Sequence, residues 1–299
     1  MPRVAILGAS GFLGAPIASN LSNNGWEVFG FTRRMNSDLP IKQLPVDIFD
    51  EDSIQSALSI AKPEFVISTA WDTEHGKFWT SSENDRYRVA TLRFAELCFL
   101  AGVQSFSGLG TMSEYGTSPG LCNSNSTKLV QQNEYSKSKV LTGLTLMQLA
   151  DQFGTSSNWF RVFQAFGPNE KPKRLVPALI SSLQRREPFI IQTPNNRMDW
   201  IHSADVADAI RFSLDNTLKQ FVDIGTGTAS SVQEIAELIC SELNLDRSLL
   251  IYENQNVSDE VTCVVDESSE LLKSGWRPME SLSLRIHSLG CLIWWLNFE

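Results

Sequence analysis

The sequence predicts an α/β fold in which a doubly wound parallel sheet carries a smaller C-terminal lobe. Three observations predict it. A short apolar run, Val4 to Leu7, leads straight into the glycine turn Gly8-Ala9-Ser10-Gly11-Phe12-Leu13-Gly14 and then into a helical stretch reaching Asn20 to Asn24. Strand-like apolar runs then alternate with helix-like stretches to about residue 165, as crossover connections between parallel strands require. Beyond that point the chain supplies one more strand for the sheet and enough apolar periodicity for a second, smaller core.

Strand, glycine turn and helix in that order are the setting in which glycine spacing carries chemical meaning. Gly8 permits the tight turn, Gly11 lets backbone amides approach a pyrophosphate at the helix N-terminus, and Gly14 allows close packing of the helix. With Ser10, Phe12 and Leu13 they form the expected phosphate end of a Rossmann-type dinucleotide site, although the spacing is G-x-x-G-x-x-G instead of the general G-x-G-x-x-G. A second strand, Glu27 to Thr32, ends in Thr32-Arg33-Arg34, where an NAD-binding fold usually places an acidic residue on the ribose hydroxyls. Arginine there suits a 2′-phosphate, so NADP (as NADPH) is expected over NAD, with Arg33 and Arg34 as phosphate ligands. The alternative is a pair of solvated surface arginines. Pro45 to Ile48 reads as a short third strand whose Asp47, with Ile48, would border the adenine.

Asp52 to Ser59 reads as a helix and Glu64 to Ala70 as a buried strand. The loop Trp71 to Trp79 follows that strand's C-terminal end, where open parallel sheets line a ligand crevice. Ala70 is therefore assigned to the cofactor, and Trp71 and His75 to the substrate, although one histidine in a loop reads equally well as a surface residue. Asn84 opens a helix to about Ala101, and Ser105 to Gly110 is the next strand. It ends at Thr111 and Ser113, whose hydroxyls would stand at the same rim, ready to hydrogen-bond a developing oxyanion. Ser118 to Thr127 is polar and turn-forming, and a helix from about Lys128 to Gln152 follows.

That helix holds Tyr135-Ser136-Lys137-Ser138-Lys139, a phenol and an ammonium one turn apart on one face. A tyrosine of pKa ~10 must fall by roughly three units to exchange protons efficiently at neutral pH. Three units are about 4 kcal/mol, comparable with one unit charge at ~4 Å in an effective dielectric of ~20. A neighbouring lysine is sufficient in magnitude. The alternative is an amphipathic helix with an exposed lysine and a half-buried tyrosine.

Composition narrows the partners. The 299 residues are 42% hydrophobic and 20% charged, which is enough for a sizeable core. A net charge of −9 and a pI of about 5.0 argue against nucleic acid, so a phosphate-bearing ligand must be held by local cations and amides. The five cysteines at 98, 122, 240, 263 and 291 show neither a disulfide framework nor metal-ligand spacing, and no metal is expected. The N-terminus reads without a secretory segment and no apolar run approaches the ~18 residues that span a bilayer, so a cytoplasmic protein with no membrane partner is expected.

With Gly8, Gly11, Gly14, Thr111 and Tyr135-x-x-x-Lys139 all in order, the chain resembles an extended short-chain dehydrogenase/reductase of the nucleotide-sugar epimerase/dehydratase family, from residue 3 to about 295. The resemblance implies that Tyr135 is the general acid/base, that Lys139 holds the cofactor ribose and lowers the tyrosine pKa, and that Thr111 hydrogen-bonds a sugar oxygen. Asn84 falls where the family keeps an asparagine on the helix packed beside the active site, and is assigned to the cofactor. Arg161-Val162-Phe163-Gln164-Ala165-Phe166-Gly167-Pro168 is similar to the family's R-x-x-N-x-Y-G-P segment, with Gln164 in the asparagine position and assigned to substrate. Arg174-Leu175-Val176-Pro177 and Arg197-Met198-Asp199-Trp200 resemble the segments that hold the nucleotide diphosphate, a task suited to bidentate arginine. For Arg197 the alternative is an ion pair with Asp199 or another carboxylate. Ser203 to Ile210 resembles a V-D-D-V-A helix start capped by Ser203 or Asp205.

The implied organisation is a cofactor domain over residues 1–165, to which 197–225 return, and a substrate lobe built mainly from 166–299. Gln220 to Gly225 gives the returning strand and Ser231 to Leu243 a helix of that lobe. Leu282 to Phe298, with Trp294 and Trp295, reads as an amphipathic helix packed on the lobe or on a partner subunit, with membrane contact as the minor alternative. The family's usual homodimer, formed by helices 84–101 and 128–152, is implied as well.

Three chemistries share such a scaffold. The family's 4,6-dehydratases carry an Asp-Glu pair just after the threonine, whereas here Met112 and Ser113 follow Thr111, which argues against dehydration. A 4-epimerase retains its cofactor and commonly uses NAD. A net ketoreductase consumes an exchanging one, for which NADPH is the usual source. Thr32-Arg33-Arg34 tips the expectation to NADPH-dependent reduction of a 4-keto-6-deoxy nucleotide-diphosphate sugar. A nucleotide-sugar 4-epimerase with tightly bound NAD(P) is the alternative. A non-catalytic dinucleotide sensor is a third reading, against which stands the retention of both Tyr135 and Lys139.

Overall fold

A computed structural model describes residues 1–74, 76–117, 119–218, 220–253 and 262–296, with side chains as far as residue 289. From the N-terminus strands and helices alternate: β1 (Arg3–Leu7), α1 (Gly14–Asn23), β2 (Glu27–Thr32), β3 (Lys42–Pro45), α2 (Glu51–Ala61), β4 (Phe65–Ser68), α3 (Glu83–Leu100) and β5 (Ser105–Thr111). A 3₁₀ turn (Met112–Tyr115) and β6 (Gly120–Cys122) precede α4 (Glu134–Phe153) and β7 (Ser156–Val162). Next come β8 (Gln164–Phe166), α5 (Leu175–Gln184), β9 (Phe189–Ile191), β10 (Arg197–His202), α6 (Ser203–Asp215) and β11 (Gln220–Ile224). The chain ends with β12 (Ala229–Ser231), α7 (Val232–Leu243), β13 (Leu250–Tyr252), β14 (Thr262–Val265), α8 (Glu270–Lys273) and α9 (Leu282–Leu296).

Seven strands form the main sheet in the order β11-β7-β5-β4-β1-β2-β3, every neighbouring pair parallel. The order reverses at β1, so crossovers run to both faces and the C-terminal ends of β1 and β4 open a crevice between them. Strands covered on both faces must be apolar throughout, and Val4 to Leu7 is buried at every residue. One face is covered by α1 and α6, the other by α2, α3 and α4. The predicted doubly wound sheet is thus the observed one.

The second layer is a sheet of order β12-β10-β14-β6, with β8 paired to β10. Helices α5, α7 and α9 close a separate core with Phe166, Trp200 and Ile191. Ile286 and Leu289 carry α9 into this core, which is the packing against the lobe that the C-terminal apolar stretch predicted. Residues 297–299 lie outside the described residues. No helix among the described residues is long and apolar enough to cross a membrane.

Local differences from the sequence reading have physical causes. Asn133 starts α4 at Glu134, six residues later than expected, because its Oδ1 accepts from the Ser136 amide (2.8 Å) while Ser136 Oγ accepts from the Asn133 amide (3.2 Å). The third strand is Lys42–Pro45, so Asp47 and Ile48 stand in the turn after it instead of within it. β6 forms inside the stretch read as a polar turn, since pairing with β14 satisfies its backbone. His202 caps α6, its Nδ1 accepting from the Ala204 amide, whereas Asp205 receives Arg285 of α9. β10 belongs to the second sheet, so the return to the first layer begins with α6 instead of at residue 197.

Candidate active site and cofactor cleft

A cleft of about 810 Å³ opens at the C-terminal ends of β1, β2, β4 and β5. The glycine turn forms one wall, with Gly8, Ser10, Gly11, Phe12 and Leu13 lining it. Gly8 sits at φ +82°, and a Cβ there would lie 2.6 Å from Thr69 Oγ1. Gly14 is behind the wall, where a side chain would run into the Gly8 carbonyl, so its role is packing. The first turn of α1 has neither a side-chain cap nor an acidic residue, so no carboxylate there opposes an anion, although the Ala15 amide donates to the Gly11 carbonyl (3.0 Å). Thr32, Arg33, Arg34, Asp47 and Ile48 also line the cleft, and Ala70 adjoins Gly8. Thr32 Oγ1 is buried and, among the described residues, has no hydrogen-bond partner, a polar atom that a bound ribose hydroxyl would satisfy. The residues present fit a dinucleotide.

Tyr135 and Lys139 close the inner end of this cleft, and both are buried, at 9% and 5% exposure. Burial pushes the Tyr135 phenol up to about 12, and a hydrogen bond with Thr111 and the charge of Arg174 pull it down in part. Burial brings the Lys139 ammonium down to about 7 against the charge of Glu114. Lys139 Nζ donates to the Leu109 carbonyl (2.7 Å) and lies 5.9 Å from the centre of the Tyr135 ring. The expectation that Lys139 lowers the tyrosine is corrected in this arrangement: Thr111 and Arg174 do so, because the lysine is drawn to the backbone and to Trp71, whose ring centre is 3.7 Å from Nζ. Phe78 and Trp79 meet the Tyr135 ring edge-on at 4.8 and 5.7 Å.

Beneath Thr111 lies a network that the sequence reading missed. Glu114, fully buried, accepts from Arg161 Nε (2.7 Å), Trp159 Nε1 (2.9 Å) and the Thr111 amide (3.0 Å). Arg161 Nη1 also donates to the Tyr115 hydroxyl (3.1 Å), which donates to Asp223 Oδ1 (2.6 Å). Burial raises Asp223 to about 6, with Tyr115 and Arg161 opposing it. Thr111 Oγ1 accepts from the Ser113 amide (3.3 Å) and lies 3.4 Å from Ser113 Oγ. Ser113 thus supports Thr111, and neither residue is part of the cleft wall itself.

A second cavity of about 330 Å³ is lined by Gln164, Arg174, Leu175, Ile191, Met198 and Trp200, among others. Gln164 and Arg174, both expected to meet substrate, line this one cavity. Arg174 Nε also donates to Glu170 (3.3 Å), whose carboxyl burial raises to about 7 against the pull of Arg174. Arg197 is a correction. Side chains alternate along β10, so Met198 and Trp200 face the cavity while Arg197 faces away, donating to Glu234 Oε1 (3.1 Å) and the Ala229 carbonyl (2.9 Å). Of the two readings open for Arg197, the ion pair is the observed one.

Asn84 is a second correction. It is 2% exposed and spends its amide internally, accepting from Trp71 Nε1 (2.9 Å) and donating to the carbonyls of Phe78 (2.6 Å) and Ser81 (2.9 Å). The residue that α3 presents to the cleft is Tyr87, nearly one turn on. An i+3 spacing from Asn84 was the available signal. Trp71 lines the cofactor cleft beside Ala70, instead of the second cavity. His75 lies outside the described residues. Among the described residues no cluster of His, Cys, Asp and Glu could hold a metal.

Comparison with known proteins gives a consistent picture. The model of the NAD dependent epimerase/dehydratase family matches residues 4–225. The dTDP-6-deoxy-L-talose 4-dehydrogenase (NAD(P)(+)) of Kitasatospora kifunensis is 24% identical over 255 residues, 80% of this chain and 79% of that protein. A trifunctional UDP-glucose 4,6-dehydratase/UDP-4-keto-6-deoxy-D-glucose 3,5-epimerase/UDP-4-keto-L-rhamnose-reductase of Arabidopsis thaliana is 24% identical over 92% of this chain, which spans 44% of that longer protein. Among solved structures, the Thermus thermophilus UDP-glucose 4-epimerase in complex with NAD superposes with a TM-score of 0.80 at 19% identity, covering 97% of this chain and 98% of that one.

Proposed function

The chain belongs to the NAD dependent epimerase/dehydratase family, an extended short-chain dehydrogenase/reductase, and from that premise we propose that it reduces the ketone of a 4-keto-6-deoxy nucleotide sugar with NADPH. One observation carries the reading: Tyr135 and Lys139 line the same cleft as Arg33 and Arg34.

Bound NADPH supplies hydride to the ketone carbon. The protein's part is proton delivery and charge placement. Tyr135 is a neutral phenol at pH 7 and would give its proton to the ketone oxygen as negative charge develops there, with Arg174 opposing the upward push of burial. Thr111, fixed through its amide by Glu114, steadies that oxygen. The ammonium of Lys139 would donate to the ribose, and Arg174 adds positive charge near the phenol. No carboxylate follows Thr111 to drive an elimination: Met112 and Ser113 hold those positions, and Glu114 is turned into Arg161.

Support for NADP comes from Arg33 and Arg34 on the cleft wall at the end of β2. Support for the sugar nucleotide comes from the second cavity, where Arg174 would meet phosphate and Gln164, Met198 and Trp200 would enclose the nucleoside end. The Kitasatospora relative is named for a dTDP-6-deoxy sugar and the Arabidopsis one for UDP-4-keto sugars. In this reading the first layer holds cofactor and the second holds substrate. Two copies dimerise in the cytoplasm through α3 and α4, whose Val89, Leu100 and Leu144 are exposed apolar residues.

The test is NADPH oxidation by purified protein, followed by absorbance, against a panel of dTDP- and UDP-linked 4-keto-6-deoxy sugars. Stoichiometric oxidation with one of them, reduced about 10²–10⁴-fold in Tyr135→Phe, supports the reading. Turnover unchanged in Tyr135→Phe sinks the acid role.

A further inference from the structure

We infer that Trp71 is a positioning residue for Lys139, its indole face holding the buried ammonium in the charged, cofactor-binding form. Lys139 Nζ has three N–H donors and, among the described residues, one hydrogen bond, to the Leu109 carbonyl of β5. Aromatic faces supply the rest of its surroundings. The Trp71 ring centre lies at 3.7 Å, with Trp159 of β7 at 5.6 Å and Tyr135 of its own helix at 5.9 Å. The acid whose charge bears on Lys139 is Glu114 of the 3₁₀ turn, already engaged by Arg161. Asp72 and Lys171 line the same cleft.

The indole is itself fixed. Trp71 Nε1 donates to Asn84 Oδ1, and Asn84 is anchored by two carbonyls of the loop before α3. The asparagine therefore serves the site by aiming the ring, and the ring serves it through the lysine.

The physical need is specific to a buried cation. Desolvation brings Lys139 to about 7, so its charge at neutral pH rests on whatever stabilises the ammonium locally. A ring face on a desolvated cation is worth up to about one pKa unit or slightly more. Only the protonated form carries the donors and the charge that a ribose hydroxyl would meet. The inference rests on the cleft being a dinucleotide site and is independent of the sugar.

The experiment measures NADPH affinity by cofactor fluorescence between pH 6 and 9 for the wild type, Trp71→Leu, Trp71→Phe and Lys139→Met. Titration of the cofactor's own phosphate is common to all four and drops out of the comparison. The wild-type affinity is expected to fall as pH rises through a midpoint that Lys139→Met abolishes. Trp71→Leu keeps apolar cover but removes the ring face, and should lower that midpoint by about 0.5–1 unit, while Trp71→Phe restores most of it. Trp71→Met is the second apolar variant should the leucine protein not fold. A wild-type midpoint in the apolar variant, equal shifts in the leucine and phenylalanine variants, or a midpoint that survives Lys139→Met would overturn the inference. Wild-type protein that binds NADPH at no pH would overturn the cofactor reading and this one with it.

Discussion

Arg161 donates its Nε–H to Glu114 at 2.7 Å, and the two side chains are 2% and 0% exposed. A charge pair so deep holds because each partner is engaged further, Glu114 by Trp159 and Thr111 and Arg161 by Tyr115. Glu114→Gln leaves a buried guanidinium without its counter-charge and should cost about 3–5 kcal/mol. Denaturant unfolding reads the loss. Turnover should fall as well, since Glu114 fixes the Thr111 amide, and a variant as stable as wild type would contradict the assignment.

Glu170 gives a pH dependence of known sign. Burial raises its pKa from 4.5 to about 7, so its neutral form is favoured in the folded state. Its contribution to stability is fully present below pH 4.5 and lost as pH rises through about 7. Glu170→Gln should flatten the melting temperature against pH across that window relative to wild type. Parallel curves for the two proteins would show that the carboxyl is not held as described.

Arg174 and Arg197, paired in the sequence reading, should separate in kinetics. Arg174→Ala removes a cation from the wall of the second cavity and should raise the KM for a nucleotide sugar about 10–100-fold. Arg197→Ala breaks a partly exposed pair with Glu234 and should stay within about five-fold. Equal effects would mean that Arg197 reaches the substrate after all.

Arg33→Ala combined with Arg34→Ala should weaken NADPH binding about 10–100-fold and leave NADH nearly unchanged. Fluorescence titration with both cofactors measures the ratio. A loss shared equally by the two would contradict a 2′-phosphate contact at the end of β2.

How much of this was legible in the sequence depends on which interactions are local. The glycine turn, the ends of β1, β2, β4 and β5, and the Tyr135/Lys139 face follow from short-range spacing, and the structure brings them to one cleft. Arg197 was misassigned because β10 puts neighbouring residues on opposite faces, so a shift of one position against the expected motif turns the guanidinium away from the cavity. Asn84 was placed one helical turn from the residue that enters the cleft, Tyr87. The Glu114 network joins residues 45 to 108 positions apart and leaves no periodic trace. The capture of Lys139 by Trp71 and Leu109 likewise depends on a loop meeting a helix.

The central claim is net hydride transfer to a ketone. The most direct measurement is a single turnover with NADPH deuterated at the transferring position of the nicotinamide, with the product sugar examined by NMR. One deuterium at C4 of a reduced 6-deoxy sugar, with one equivalent of NADP⁺ formed, is the predicted result. Interconversion of two sugar nucleotides with no net NADP⁺ and no label gained from solution cofactor would contradict it and make the protein an epimerase.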